Sequence, residues 1–445
     1  MQPNTSPWNA LPVLLAGAFM VVLDFFIVNV ALPSIATDLG ASESALEWVV
    51  AGYGLTFAAF LITAGRLGDV LGRRRVYATG VLLFTAASLA CGLAPTPETL
   101  IAARIAQGAA GAVVMPQVLG IIGVAFRGPD YVRAMSIYGV VLGLAAVGGQ
   151  IIGGALVESG AGWRGCFLIN LPVGIAALAA IRFVPESRAE RRTPVDVWGA
   201  VTLAIGLTAI LLPLIEGRQL GWPVWTWISL AVAPVIVALF VRRQARLEHP
   251  LLDLTLFRRR GFSAGLATQF CLACAQASFF VYLALYLQVE RGLSALDAGL
   301  MFGILAVAYV AVSAPAPALT QRFGRSVIAA GGVSLTLGLA LLAAVVGGSL
   351  GVLVPGLLLV GAGIGLCFTP LTSIVLADID PARAGSASGA LSTTQQIGFA
   401  LGVAVTGLIY FGAAADEAFT LSLIQLAAVA AGIVLASRLL ARVPS

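Results

Sequence analysis

Apolar runs of about 20 residues recur along almost the whole chain, and no other feature constrains the fold as much. A hydrocarbon layer about 30 Å thick is crossed by roughly 20 apolar residues in a helix, which satisfies its own backbone where no water can. Reading the runs between charged or Pro/Gly-rich breaks predicts helices at about 10–33, 46–65, 76–94, 98–126, 133–157 and 162–183. Two more are expected at about 195–215 and 224–241, and a last six at 262–288, 295–320, 326–346, 350–376, 385–412 and 417–440. The fold class is an all-α membrane protein with fourteen transmembrane helices. The gaps leave no room for a folded extramembrane domain, and with 60% of residues hydrophobic and 10% charged, catalysis in a soluble domain is excluded.

All 25 basic side chains are Arg. With a cytoplasmic N-terminus, all but Arg104, Arg164, Arg218 and Arg291 fall in cytoplasmic loops, as the positive-inside rule requires. That asymmetry places both termini in the cytoplasm and demands an even number of spans. The net charge of +5 is therefore topological, and no nucleic-acid partner is expected. The first run lacks a basic leader and is interrupted by Asp24, so a cleaved signal peptide is not expected. Cys271 and Cys274 form a CxxC on a predicted span without a flanking His or acid, which reads as small-residue packing and not a metal site. No cofactor is expected, and His249, in a loop before Pro250, reads as structural.

An internal repeat is visible. Gly72-Arg73 is echoed by Gly324-Arg325, an offset of 252 residues, and the stretch from Gly111 to Pro116 by that from Gly365 to Pro370, an offset of 254. Two related six-helix halves separated by an inserted pair explain this spacing. The expected domains are a six-helix bundle over 1–187, two inserted helices with a cytoplasmic linker over 188–260, and a second six-helix bundle over 261–445. Repeated halves around a midplane site are the architecture of secondary transporters.

Asp24 lies halfway along the first predicted helix. A charged carboxylate at that depth costs about 3 kcal/mol, so it should face a polar cavity, pair with a base or carry a proton. A structural carboxylate tied to a neighbouring helix is the competing reading. Arg104 is the other deep charge, with Gln107 one turn on; it either tunes a nearby carboxylate or anchors helices together. Gly65, Gly68, Asp69, Gly72 and Arg73 sit in a glycine-rich, arginine-rich stretch read as the short turn between helices 2 and 3, where Asp69 can accept from helix amides or from an Arg of the same loop. Gly139, Gly143, Gly148, Gly149, Gly153 and Gly154 give helix 5 a face for close helix approach, for sliding or for static packing. Phe25, Asn29, Tyr53, Gln107, Gln150, Gln276, Tyr282 and Gln396 are the candidates for contact with a substrate in a cavity of apolar and amide groups. Glu47, Glu216, Glu290 and Asp297 are expected near outer ends, in water.

These residues resemble the major facilitator superfamily, and within it the fourteen-spanner drug/proton antiporters. The stretch from Leu23-Asp24 to Pro33 is similar to that family's helix 1 motif, and Gly65 to Arg75 to the superfamily's loop signature. Arg104, Gln107 and Gly108 resemble its helix 4 motif, and Trp163-Arg164 with Asn170-Leu171-Pro172 its helix 6 entry. The resemblance implies a non-enzymatic, proton-coupled exporter of lipophilic or amphipathic small molecules, a multidrug or antibiotic efflux protein working by alternating access. It implies Asp24 and Arg104 as coupling residues, Asp69 in a conformational gate, and a monomer in a bacterial inner membrane whose partners are substrate, protons and lipid. Two departures stand out: Gln150 replaces the proline usual in the helix 5 motif, and Phe26 replaces the usual Thr in helix 1. Export of a single endogenous metabolite or antibiotic, and a non-transporting receptor on the same scaffold, are the alternatives.

Overall fold

The computed structural model describes residues 7–188, 196–248, 250–376, 379 and 384–440. His249, Arg191, Arg192, Arg383 and Arg442 lie outside the described residues. Within them the chain is helical almost throughout. The helices are α1 (Pro7–Leu39), α2 (Glu43–Leu71), α3 (Arg73–Gly92), α4 (Pro97–Ala125), α5 (Gly128–Glu158), α6 (Gly162–Leu168), α7 (Asn170–Ala179) and α8 (Val197–Gln219). They continue as α9 (Val224–Gln244), α10 (Arg260–Leu285), α11 (Ala295–Ser313), α12 (Ala316–Phe323), α13 (Ser326–Val345), α14 (Leu350–Leu376), α15 (Ala384–Tyr410) and α16 (Ala415–Ser437). Among the described residues, 13 helical stretches are long and apolar enough to cross a membrane. The chain is thus a multi-pass membrane protein. α15, rich in Ser, Thr and Gln along its first half, is not among those 13.

Local signals set the helix ends. Ser42 caps α2 by accepting from the Ala45 amide at 3.2 Å, and Thr96 and Thr99 cap α4 reciprocally behind Pro97. Two predicted spans are broken where the sequence reading ran them through. The sixth divides at Ile169 into α6 and α7, because Pro172 has no N–H to offer the carbonyl four residues back. The tenth divides at Ala314-Pro315 into α11 and α12, where Pro315 and Pro317 remove two donors in succession.

The chain forms two compact units: Met1–Val201 with Ser294–Gly299, and Thr202–Leu293 with Leu300–Ser445. In the first, α1 packs on α5, and α4 on both α2 and α3. In the second, α13 packs on α14 and α16, and α10 on α15 and α16. The echo in the sequence recurs in backbone form: Gly72 (φ 107°) separates α2 from α3, and Gly324 (φ 56°) separates α12 from α13. Positive φ is available to glycine at little cost. Gln321 stands one repeat on from Asp69.

The glycine-rich stretch read as the short turn between helices 2 and 3 is mostly helix. α2 continues to Leu71, α3 starts at Arg73, and Gly72 alone makes the turn. Gly65 and Gly68 lie on helix, where a side chain at 65 would meet Pro116 and one at 68 would collide with the Gln117 amide, so they serve the close approach of α2 and α4. Glu47 is a second correction: it is 5% exposed and lies in the packed interior of its unit, not in water.

Helix 5 resolves as a packing face. Gly149 lies against Leu23, Phe26 and Ile27, and Gly153 against Ile27 and Val30 of α1. A Cβ at 153 would stand 2.7 Å from Val30 and 2.9 Å from the Ile27 carbonyl. Gly153→Leu is therefore expected to lower stability by about 1–3 kcal/mol through overpacking. Gly139→Ala, at a position with nothing within 4 Å, should leave the melting temperature of the detergent-solubilised protein unchanged, and thermal unfolding of the two variants side by side checks both.

Candidate functional site

Asp24 sits at the centre of a hydrogen-bonded cluster drawn from five helices of the first unit. One carboxylate oxygen accepts from the Arg104 guanidinium. The other accepts from the Gln107 amide at 2.8 Å and from the Asn170 amide at 2.7 Å. Those two amides also donate to Ser88 Oγ, at 2.6 and 2.9 Å. Arg104 further donates to the Val49 carbonyl at 2.9 Å and to Gln107 Oε1 at 2.7 Å. Its guanidinium carbon lies 4.4 Å from the centre of the Tyr53 ring, a cation–π contact, and Tyr53 donates its hydroxyl to the Val21 carbonyl at 3.1 Å. α1, α2, α3, α4 and α7 are joined through one carboxylate.

The local reasons are legible. Arg104 and Gln107 are three residues apart on α4, so they share a face and reach the carboxylate together. Asn170 is the first residue of α7, positioned by the break that Pro172 enforces. Asp24, Arg104, Gln107 and Ser88 are all 0% exposed. In this conformation the pair is sealed from solvent. Of the five N–H donors of Arg104, those on Nη2 have no partner among the described residues, and neither has the Asn170 side-chain oxygen.

The predicted site residues divide into groups. Asp24, Arg104, Gln107 and Tyr53 are brought together, and Phe25 joins them through its ring, 5.8 Å from that of Tyr53. Asn29 and Gln150 are buried in the same unit outside this network, Asn29 with its side-chain oxygen and Gln150 with both amide atoms unpartnered among the described residues. Gln276, Tyr282 and Gln396 belong to the second unit, where Tyr282 donates to the Val403 carbonyl at 2.8 Å. Ser88 and Asn170 are members of the cluster that residue-type reasoning gave no role. A lone Ser on a predicted span carries no sequence signal, and Asn170 was visible only as part of a motif.

Asp69 and Arg73 form a second cluster, in the same unit. Asp69 accepts from Arg73 Nε at 3.1 Å and Nη2 at 2.8 Å, and Arg73 Nη1 donates to the Gly120 carbonyl at 3.1 Å. Glu186, which the sequence reading missed, completes it: its carboxylate accepts from the Arg74 amide at 3.1 Å, at the N-terminus of α3 where negative charge is favoured. It occupies the space where a side chain at Gly72 would lie. A third tie, at the C-terminal end of α1, joins Asp38 to Trp163 Nε1 at 2.8 Å and to Arg164 Nη1 at 2.5 Å.

Residues 14–403 match the family model described as Major Facilitator Superfamily. The chain is 38% identical to the probable actinorhodin transporter of Streptomyces coelicolor, over 99% of this chain and 80% of that protein. It is 38% identical to the multidrug resistance protein Stp of Mycobacterium tuberculosis, over 88% of this chain and 74% of that one. The cephamycin export protein CmcT of Amycolatopsis lactamdurans is 36% identical over 89% of this chain and 84% of its own length. Among solved structures, that of a D-xylose-proton symporter superposes with a TM-score of 0.72 at 15% identity, over 99% of this chain and 98% of the other.

A buried pair that loses one partner leaves an uncompensated charge. Arg104→Ala is expected to lower stability by about 3–5 kcal/mol, with a smaller loss for the double variant Asp24→Leu, Arg104→Met, which removes both charges. Thermal unfolding of the purified single and double variants reads the difference.

Proposed function

We propose that this chain, which belongs to the Major Facilitator Superfamily, exports lipophilic or amphipathic small molecules across the bacterial inner membrane by proton-driven alternating access. The observation that carries the reading is the ion pair Asp24–Arg104. A carboxylate and a guanidinium are held at membrane depth by the amides of Gln107, on the helix of Arg104, and Asn170, on α7, in a chain whose similar relatives bear the names of antibiotic exporters. Paired, the two charges are neutral together and fit an apolar surrounding; protonation of Asp24 releases Arg104 and leaves the network to rearrange. One charge moving through 100 mV supplies about 2.3 kcal/mol, enough for a gradient of about fifty-fold. Asp69, Arg73 and Glu186, with Gly65, Gly68 and Gly72 allowing the close approach, form the conformational gate on the cytoplasmic side. Phe25, Asn29, Tyr53, Gln107, Gln150, Gln276, Tyr282 and Gln396 are the substrate-contact candidates.

In this reading α15 also crosses the membrane and brings the spans to fourteen, both termini are cytoplasmic, the halves are 1–187 and 261–445 with an inserted pair between them, and one chain is the working unit. The mechanism gives no role to a nucleophile, metal or cofactor. A narrower version, export of one antibiotic, is favoured by relatives named for single compounds, among them actinorhodin, cephamycin and tetracenomycin C.

Asp24→Asn leaves Arg104 without its counter-charge, so it is expected to lose stability as Arg104→Ala does and, in the protein that remains folded, to lose flux driven by an imposed pH gradient in sealed vesicles. The decisive measurement is substrate uptake into inverted vesicles with and without that gradient. Gradient-dependent uptake at the native rate in this variant removes Asp24 from the mechanism.

A further inference from the structure

The two units differ in what they bury. Among the described residues, the buried charged side chains Asp24, Glu47, Arg104 and Asp196 all belong to the first unit. The buried polar groups of the second are neutral: hydroxyls and amides such as Thr268, Gln269, Gln276, Ser278 and Thr393. Several of these lack partners. Gln276 Oε1 and Ser278 Oγ on α10, with Thr393 Oγ1 and Gln396 Oε1 on α15, are sealed from solvent and make no hydrogen bond among the described residues. The two helices pack directly on each other: Gly398 lies against Phe270 and Ala273, Gly402 against Cys274 and Ser278, and Tyr282 bonds to the Val403 carbonyl.

A sealed, unpartnered oxygen is unfavourable, and four on one helix pair call for a reason. A chain that alternates between states supplies one: groups without partners when the site is closed gain them when it opens and a ligand or water arrives. The chemistry of these groups then limits the ligand. Amides and hydroxyls exchange hydrogen bonds with carbonyls and hydroxyls, whereas a cation losing its water against this face meets no carboxylate to compensate it. The acid buried nearest the middle of the chain's first span is already neutralised by Arg104.

We infer that α10 and α15 carry a neutral recognition face, with Gln276, Thr393 and Gln396 as its specificity-determining groups, which selects uncharged, carbonyl- and hydroxyl-bearing molecules over permanent cations. This rests on the export reading above and names the class of molecule exported. Gln276 and Gln396 hydrogen-bond the passing ligand through their amides. Thr393 adds a hydroxyl three residues before Gln396, on the same side of α15.

The test uses the full chain in sealed vesicles with an imposed pH gradient. Chloramphenicol serves as the neutral, hydroxylated probe and ethidium as the cationic one. The native protein should move chloramphenicol at least tenfold faster than ethidium. Gln276→Leu, Gln396→Leu and Thr393→Val should each slow chloramphenicol by roughly five- to tenfold, the loss of one hydrogen bond. Thr393→Val is nearly isosteric and deletes an unpartnered hydroxyl, so its melting temperature should hold or rise while transport falls; a structural role would lower both. Native chloramphenicol rates in all three variants, or ethidium moved as fast as chloramphenicol, overturn the neutral face and leave export standing. Gradient-driven flux of neither compound by the native protein overturns both readings.

Discussion

The arrangement of the first unit follows from one ion pair that has no access to water. A carboxylate or a guanidinium alone at this depth would be strongly unfavourable; together they neutralise each other, and every further polar group brought to them recovers more of the lost hydration. The Asp24 oxygens take three donors, two from α4 and one from α7. Gln107 and Asn170 must converge on the same oxygen while sharing Ser88, which fixes α3, α4 and α7 relative to α1. Arg104 adds α2 through the Val49 carbonyl. A network with so many shared members behaves as one unit, so displacing any of these helices disturbs all.

Close packing extends that rigidity away from the charge. Lipid tails offer no hydrophobic driving force between helices, so association depends on how nearly backbones can approach. Gly149 and Gly153 bring α5 onto α1 next to Asp24, and Gly65 and Gly68 bring α2 onto α4 beside the Asp69–Arg73 cluster. The glycines thus serve both polar clusters. They place the carriers of charge close enough to share hydrogen bonds.

The two stretches that echo each other in sequence share a backbone turn but differ in chemistry. Gly72 and Gly324 both adopt positive φ between helices, yet Asp69 stands in one half and Gln321 one repeat on in the other. Arg73 binds an acid and a carbonyl, whereas Arg325 donates to the Arg438 and Leu440 carbonyls. The same contrast holds in the interior, where buried charge lies in the first unit and neutral amides and hydroxyls in the second. Ion pairing in one body and neutral hydrogen bonding in the other are compatible with separate duties for energy coupling and recognition.

Most helices could be placed from the sequence to within a few residues, because a span must be apolar over a fixed length and the bilayer requirement acts on each segment independently. The exceptions are informative: the breaks at Ile169 and Ala314 needed the prolines to be weighed against long apolar runs, and the supposed turn at Gly65–Arg75 was mostly helix because its glycines answer to a neighbouring helix. Asp24, Arg104 and Gln107 could be singled out because polar groups are conspicuous in apolar runs. Their meeting could not, nor could the entry of Ser88, Asn170 and Glu186, or the burial of Glu47. The sequence by itself determined that this chain is a bundle of membrane-crossing helices with an acid and a base at depth, since hydropathy is a property of each residue. Only the tertiary structure decided that the two are partners, sealed by amides of α4 and α7, because a hydrogen bond depends on distances between segments that no local pattern encodes.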